Sequence, residues 1–308
     1  MLCGAAWCGK TAGLRKQRRP MSLQSTPYRS SRREPFFEQR EGYSMRYTMI
    51  SLAALAAVAG ASPAIAQDQT DPPPAVTISG SVGVVSDYKF RGISQTDGNF
   101  AVQGGITVAH ASGFYVSVWG SSIDDYVTVH GTAHQELDLI AGYKHAFDGG
   151  VTVDVGALYY VYPGTRPGFT GDRSSSDFLE PYASVSYAIG PATAKITGNY
   201  APKQKALALD QGQSGLLRKQ DNFYLAGDLS VAIPRTPIGL TAHLGHTWGP
   251  SWLSGPTSEY TDWSLGATAT WKSLTFGVSY VDTDTNFITP SGKDAAKGGI
   301  LGSVSVAF

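Results

Sequence analysis

The sequence has few of the features that mark soluble enzymes or helical membrane proteins. Only two of its 308 residues are cysteine, Cys3 and Cys8, and both precede the export cleavage site predicted below. The exported chain would therefore have no disulfide and no thiol site. No run of 18 apolar residues follows Ala66, which excludes membrane-spanning helices. The full sequence also has no excess of positive or negative charge, because it contains 24 basic and 24 acidic residues.

The N-terminal region carries an export pattern. A basic start at Met45-Arg46 precedes the apolar stretch Met49–Ala61 and the small-x-small motif Ala64-Ile65-Ala66. This order is typical of a cleaved signal peptide over 45–66, since the apolar stretch is too short to span a bilayer. Residues 1–44 are predicted to be a disordered start-codon overhang, and residues 67–75 a periplasmic linker.

Removal of residues 1–66 changes the charge balance. It leaves 14 basic and 21 acidic residues, a formal charge of −7. An acidic chain argues against a nucleic-acid partner, which needs a basic surface.

From Val76 to Phe308 apolar and polar residues alternate in about twelve segments. In the first, predicted as Val76–Phe90, apolar residues share one parity and polar residues the other. Short connections near 111–113, 148–150, 190–191, 234–237 and 272–273 alternate with longer ones near 91–99, 126–133, 163–176, 201–220, 249–258 and 284–298. This pattern predicts an all-β fold, an antiparallel up-and-down transmembrane β-barrel over 76–308 with short periplasmic turns and longer extracellular loops.

The polar parity fixes which face points inward. With the opposite assignment the lipid would be contacted by Glu136, Asp138, Lys144, Asp154 and Asp228. A basic residue near the midplane costs about 2–4 kcal/mol and an acidic one somewhat less. A soluble barrel would place the apolar face inside, but about eight strands suffice for such a barrel. We therefore predict a barrel of the cell outer membrane, with its apolar face towards lipid and aromatic girdles at both ends.

The predicted pore lining contains more acidic than basic side chains. Its members are Asp87, Glu136, Asp138, Asp154, Glu180, Asp228 and Asp262, with Lys89, Arg91, Lys144 and Lys195. Acidic side chains in a pore favour cations. The sequence therefore predicts passive diffusion of small polar solutes or ions with a mild cation preference.

Two further segments indicate partners. Ile300–Phe308 alternates strictly and ends on an aromatic residue, which resembles the signal read by the barrel assembly machinery. Lys203, Lys205, Arg218 and Lys219 make the 201–220 loop the expected contact with anionic lipopolysaccharide.

One block has a closer likeness. Ser86 to Ser94 (SDYKFRGIS) resembles the S-D-Y-x-F-R-G-x-S block of TorF-type porins, a bacterial family earlier catalogued as Gcw_chp proteins, and Gln103–Gly105, Ser112–Tyr115 and Trp119–Ser121 match its following block. The resemblance implies an outer-membrane barrel with a pore role. We expect the block at the extracellular end of the first strand, with Tyr88 and Phe90 in the girdle. Asp87 and Arg91 would join a charge network that serves structure or selectivity.

Catalytic and metal-binding patterns are weak. His243 faces the predicted lumen without a serine nucleophile signature, and His130 and His134 lie near Asp124-Asp125 in a loop. Asp282–Asn286 imitates the start of a calcium loop, but Phe287 and Lys293 occupy positions that need Gly and Glu. The sequence predicts no catalytic residue, metal or cofactor. A plugged structural or partner-binding barrel and an outer-membrane hydrolase remain the alternatives to a channel.

Overall fold

The computed structural model describes residues 74–128, 132–164, 175–208, 219–255 and 257–308. The predicted overhang 1–44, the signal peptide 45–66 and most of the linker 67–75 lie outside these residues. In the described part of the chain, no helix has the length and apolar character needed to cross a membrane.

Twelve antiparallel strands form one closed barrel, which confirms the predicted fold class and strand number. The barrel strands are β1 (Val76–Val85), β4 (Ala101–His110), β5 (Phe114–Ser122), β6 (Gln135–Ala146), β7 (Val151–Val161), β8 (Phe178–Ile189), β9 (Ala192–Gln204), β10 (Gln220–Ala232), β11 (Ile238–Trp248), β12 (Glu259–Trp271), β13 (Leu274–Thr283) and β14 (Gly299–Ala307). A separate two-stranded hairpin consists of β2 (Lys89–Phe90) and β3 (Ile93–Ser94).

Sequence neighbours pair in order, and β1 pairs with β14 to close the ring. At this seam the backbone of Phe308 exchanges two hydrogen bonds with that of Gly80, at 2.8 and 2.9 Å. At the other connections near this end of the barrel the turns are short. Gly149 and Gly150, for example, join β6 to β7 with φ of 91° and 92°, a conformation that glycine adopts without strain. Short turns of this kind face the periplasm in this class of barrel.

The outer face of the barrel is an apolar band. Ile78, Ile300 and Leu265 are each more than 60% exposed, although none is polar. A surface this apolar is stable only against another apolar medium, here lipid. Exposed aromatic residues lie near both ends of the band: Phe114, Phe147, Tyr187, Trp271 and Phe308 at the turn end, and Phe100, Tyr200, Phe223, Trp248 and Tyr280 at the loop end.

The first strand is shorter than predicted. It ends at Val85, and the chain then turns into the barrel instead of continuing to Phe90. The Asp87 carboxylate accepts hydrogen bonds from Ser94 Oγ (2.5 Å) and Thr96 Oγ1 (2.9 Å), which fold the segment back on itself. The expectation that Tyr88 and Phe90 belong to the outer girdle was therefore wrong. Tyr88 is buried inside the barrel, and Phe90 packs beside it.

Candidate functional site: the barrel lumen

Residues 86–99, here called the lumen hairpin, contain the block Ser86–Ser94. Lys89 pairs with Ser94 and Phe90 with Ile93, so that Arg91 and Gly92 form a two-residue turn. Both turn residues have positive φ, 48° and 80°, as a type I′ turn requires. A positive φ is strained for a residue other than glycine, so contacts of the Arg91 side chain must stabilise this backbone conformation.

Arg91 reaches the opposite side of the barrel. Its Nη2 lies 2.7 Å from Glu180 Oε1 on β8, and its Nη1 donates to Asn222 Oδ1 on β10 at 3.1 Å. Around the ring, β8 is the fifth strand from β1 in one direction and β10 the fifth in the other. The side chains of Arg91 and Glu180 have no exposed surface. The hairpin thus crosses the full lumen and ends in a buried ion pair.

Glu180 is the central acceptor of this contact. Besides Arg91 it accepts hydrogen bonds from Tyr160 Oη and Asn199 Nδ2, both at 3.2 Å. The guanidinium also lies 4.1 Å from the centre of the Tyr224 ring, a cation–π contact. Separation of this pair would leave an uncompensated charge buried in the lumen, which is strongly destabilising. The ion pair therefore fixes the hairpin in place.

Two further groups hold the hairpin from its sides. Tyr88 Oη donates to Glu136 Oε1 on β6 at 2.8 Å. Lys89 Nζ donates to the carbonyl oxygen of Lys297, just before β14, at 2.6 Å. Both contacts join the hairpin to the barrel wall through side chains, while its backbone ladder pairs only β2 with β3.

The base of the hairpin contacts the last extracellular loop through Asp97. Its carboxylate accepts hydrogen bonds from Thr289 Oγ1 (2.9 Å) and Ser291 Oγ (2.7 Å), and lies 3.2 Å from Lys293 Nζ. Loss of hydration would raise the pKa of Asp97, but the hydrogen bonds from Ser291, Thr289 and Lys293 outweigh it and lower that pKa. The charged form of Asp97 therefore favours the closed arrangement.

The loop half of the lumen is packed like the core of a soluble protein. Tyr160 stacks on Phe178 at 4.3 Å, and Tyr88 meets Trp119 edge to face at 5.5 Å. Buried apolar side chains surround these pairs: Ile123, Val127, Ile140, Leu158, Ala201 and Leu207. Among the described residues, the hairpin and these side chains fill much of the loop half of the lumen.

Below the hairpin lies a cavity of about 230 Å³. It extends from Tyr88 and Arg91 towards the turn end, where Thr193 and Thr268 contribute to its wall. One side of it, from β12 through β1, carries small residues: Gly83, Ser264, Gly266, Gly277, Ser279, Ser303 and Ser305. The other side carries charge, so the two walls differ in both bulk and polarity.

The charged wall contains a bridged histidine. His243 Nδ1 lies 2.7 Å from Asp228 Oδ1, and its Nε2 lies 3.0 Å from Asp262 Oδ1. Tyr224 Oη contacts Asp262 Oδ2 at 3.0 Å. With a carboxylate at each ring nitrogen, both nitrogens donate, and the hydrogen-bond network assigns His243 as an imidazolium.

The structure places all eleven predicted lumen residues inside the barrel, but in different surroundings. Asp87, Lys89 and Arg91 belong to the hairpin and not to the wall. Six residues line the cavity: Asp87, Lys89, Arg91, Lys195, Asp228 and Asp262. Glu136, Asp138, Lys144, Asp154 and Glu180 lie outside its lining, with Asp154 paired to Lys144 at 3.2 Å. Their role in lining a conducting pore stays a prediction.

Sequence reasoning missed several partners in this network. Asn222 and Asn199 bind the residues it named, and His243 was noted only for its inward parity. The pairing of His243 with Asp228 had a signal, because both residues are equally far from the centre of the 234–237 turn. A hairpin register follows from its turn, whereas contacts between distant strands do not.

Other candidates of the sequence remain at the surface. His134 Nδ1 lies 3.0 Å from Asp125 Oδ1, with both side chains more than half exposed, and His130 lies outside the described residues. Among the described residues, no group of three or more His, Cys, Asp or Glu side chains could hold a metal ion. Lys203, Lys205 and Lys219 are exposed at the loop end, and Arg218 is outside the described part.

The family model described as "Bacterial protein of unknown function (Gcw_chp)" matches residues 69–301. The chain belongs to this family. The match spans the barrel of this chain apart from residues 302–308. The comparison with curated proteins gave no match.

Solved outer-membrane porins share the fold. The NanC porin is 14% identical, with a TM-score of 0.50 over 75% of this chain and 99% of its own. The KdgM porin in complex with disordered oligogalacturonate is 10% identical (75% and 98% covered, TM-score 0.43). The COG4313 outer membrane channel from Pseudomonas putida F1 is 12% identical (77% and 98% covered, TM-score 0.44). At these identities the likeness concerns the architecture alone.

Proposed function

We propose that the protein is an outer-membrane channel of the TorF type, exported through a cleaved signal peptide, that lets small polar solutes or ions diffuse passively. The observation that carries the proposal is the closed twelve-stranded barrel, apolar outside, with a cavity of about 230 Å³ inside whose lining includes charged side chains. A barrel that only anchored a surface loop would have no need for an interior of this kind. The proposed function is passive diffusion and includes no catalysed reaction.

In this proposal the lumen hairpin is the gate. In the described part of the chain, its backbone is hydrogen-bonded to a barrel strand only at its start, where the Ser86 N–H donates to the Gly302 carbonyl on β14. Side chains hold the far end of the hairpin to the wall. Water can replace such contacts one at a time, which a continuous strand ladder would not allow. The structure described above is accordingly the closed state, and conduction requires the hairpin to leave the lumen.

A mild cation preference is part of the same proposal. Seven of the eleven lumen residues named from the sequence are acidic, and the side chain of Asp228 is 41% exposed beside the cavity. Rings or clusters of carboxylates favour cations in a pore. The reversal potential in asymmetric salt measures this preference directly.

Two partners are proposed with the channel. The exposed Lys203, Lys205 and Lys219 would contact lipopolysaccharide phosphates at the loop end. The C-terminal strand β14 would present Phe308 to the assembly machinery before its backbone pairs with Gly80.

The second candidate is a permanently plugged barrel that binds a partner at its loops. The apolar core of the loop half and the fully buried Arg91–Glu180 pair favour it. The two candidates differ in one property, the ability of the hairpin to move.

A reversible crosslink distinguishes them. A Cβ placed on Gly92 would lie 3.1 Å from Cβ of Thr283 on β13, which is close to disulfide distance. The φ of 80° at Gly92 and a 3.0 Å contact with Asp262 Cβ strain a side chain there, so the reduced Gly92→Cys/Thr283→Cys protein is the reference for the oxidised one. The exported chain has no cysteine to interfere. Purified protein in a planar bilayer should conduct when the pair is reduced and fall silent when it is oxidised.

The matched control is Thr283→Cys alone, which oxidation should leave unchanged. Equal conductance of the oxidised and reduced double variant would refute the hairpin as a gate. Silence of the wild type, with the folded barrel verified by its heat-dependent gel mobility, would refute the channel and favour the plugged barrel.

A further inference from the structure

The charges that line the cavity are unequally satisfied. The carboxylates of Asp87, Asp228 and Asp262 each accept a hydrogen bond from a neighbouring side chain. Lys195, on β9, lines the same cavity, yet its ammonium has no hydrogen bond or ion pair with any residue that the structure describes. Asp228 attracts this ammonium without forming an ion pair with it, so the ammonium can still bind a ligand in the cavity.

The next inward residue of β9, Thr197, also has an unsatisfied polar group. Thr197 is 8% exposed, and its Oγ1 has no hydrogen-bond partner among the described residues. Lys195 and Thr197 both border the cavity and lie two positions apart on one face of β9. Together they offer a charge and a hydroxyl to one anionic group.

The negative side of the site lies on the adjacent strand. Asp228 is the direct cross-strand partner of Lys195, so their Cβ atoms are about 4.5–5.5 Å apart. The Asp228 carboxylate contacts His243 instead of Lys195. With two carboxylates and one imidazolium, the Asp228–His243–Asp262 cluster has one net negative charge. The wall therefore presents a positive group and a negative cluster side by side.

This juxtaposition selects the class of ligand. A simple anion on Lys195 would face the Asp228 carboxylate, and a simple cation on Asp228 would face the Lys195 ammonium. We propose that the β9–β10 wall binds a small zwitterion such as an α-amino acid, with its carboxylate on Lys195 and Thr197 and its cationic group beside Asp228. The opposite wall of Gly266, Gly277 and Ser279 leaves room for a short side chain.

The inference deepens the proposed function, because it rests on that function for the route by which the solute arrives. The binding itself does not depend on conduction. A calorimetric titration of the detergent-solubilised protein with glycine, acetate and methylammonium therefore tests it independently. Glycine should bind at least about tenfold more tightly than either singly charged probe, since only glycine makes charged contacts at both positions.

Variants locate the binding site. Lys195→Gln should weaken glycine binding about tenfold or more, whereas Lys195→Arg, which keeps the charge, should retain most of it. Asp228→Asn should weaken glycine binding and spare acetate. Lys272→Gln is the control, because Lys272 is exposed in the turn between β12 and β13, outside the cavity lining.

Several results would overturn the zwitterion site. Acetate that binds as tightly as glycine would reduce it to an anion site, and glycine binding unchanged in Lys195→Gln would place it elsewhere. Absence of glycine binding to folded wild type would exclude it. A barrel that binds glycine but stays silent in bilayers would refute only the channel, and a conducting barrel without glycine binding only this inference.

Discussion

The loop half and the turn half of the lumen are built from the same strands with opposite kinds of side chain. Along β12 the inward residues are Tyr260 and Asp262 near the loops, then Ser264, Gly266 and Thr268 towards the turns. The strands β8 and β10 show the same change: Phe178, Glu180 and Tyr182 precede Ser184, and Asn222 and Tyr224 precede Ser230.

The difference shows that strand parity and lumen content are separate properties of the sequence. Parity decides only which residues face inward, and it is uniform over the whole barrel. The size of the inward residues decides whether that part of the lumen is a packed core or a cavity. One barrel can therefore hold a packed core and a cavity at different depths.

The largest expected effect comes from breaking the contact that holds the packed half together. Glu180→Gln leaves Arg91 buried without a counter-charge, which should cost about 3–5 kcal/mol. We expect a lower urea midpoint of unfolding and more frequent channel openings, because the hairpin loses its distal anchor. Glu259→Gln, an exposed change on β12, should alter neither. A wild-type midpoint in Glu180→Gln would contradict the role of the ion pair.

A smaller change in the same half is Tyr88→Phe. It removes one donor from the buried Glu136 carboxylate and should destabilise the barrel by about 1–3 kcal/mol. Tyr200→Phe is the matched control, since its hydroxyl bonds to Asp221 at the surface. Equal unfolding midpoints for the two variants would show that the Tyr88 contact contributes nothing to the closed state.

The turn half can be tested by filling it. Ser303→Tyr adds bulk to the small-residue wall of the cavity and should reduce single-channel conductance. Because the ring enters empty space, we expect a stability change within about 0.5 kcal/mol. Ile300→Tyr, on the lipid face of the same strand and outside the cavity lining, should leave conductance unchanged. Unaltered conductance in Ser303→Tyr would exclude the cavity from the conducting path.

The smallest expected effect concerns pH at the rim of the packed half. The pKa of Asp97 is lower in the folded protein than in the unfolded chain, so its stabilising contribution is present above the unfolded value and is lost as pH falls through the folded one. Because Lys293 is largely exposed, this contact is worth at most about 1 kcal/mol. Opening frequency should rise slightly below about pH 4, and Asp97→Asn should remove that rise.

The barrel itself could be predicted from sequence because its information is local. Alternation, short turns and aromatic ends fix the strands, the inward face and the number of hairpins. The Asp228–His243 pair was within reach for the same reason, since the 234–237 turn sets its register.

The same local signals could not predict that residues 86–99 fold into the lumen. Asp87, Tyr88 and Lys89 continue the parity of β1, so the pattern alone cannot show that the strand has ended at Val85. The two-residue turn Arg91-Gly92 was a usable signal, because Gly after a polar residue suits a type I′ turn. Its destination depends on Glu180, 89 residues away, and nothing local encodes that contact.

The hydrogen bond from Lys89 to the carbonyl of Lys297 links the first loop of the barrel to the approach of its last strand. In a chain made from its N-terminus, the hairpin exists long before its neighbour at the seam does. Its final contacts form only when β14 arrives and Phe308 joins Gly80. Closure of the ring and the final placement of the hairpin then belong to the same late step of assembly.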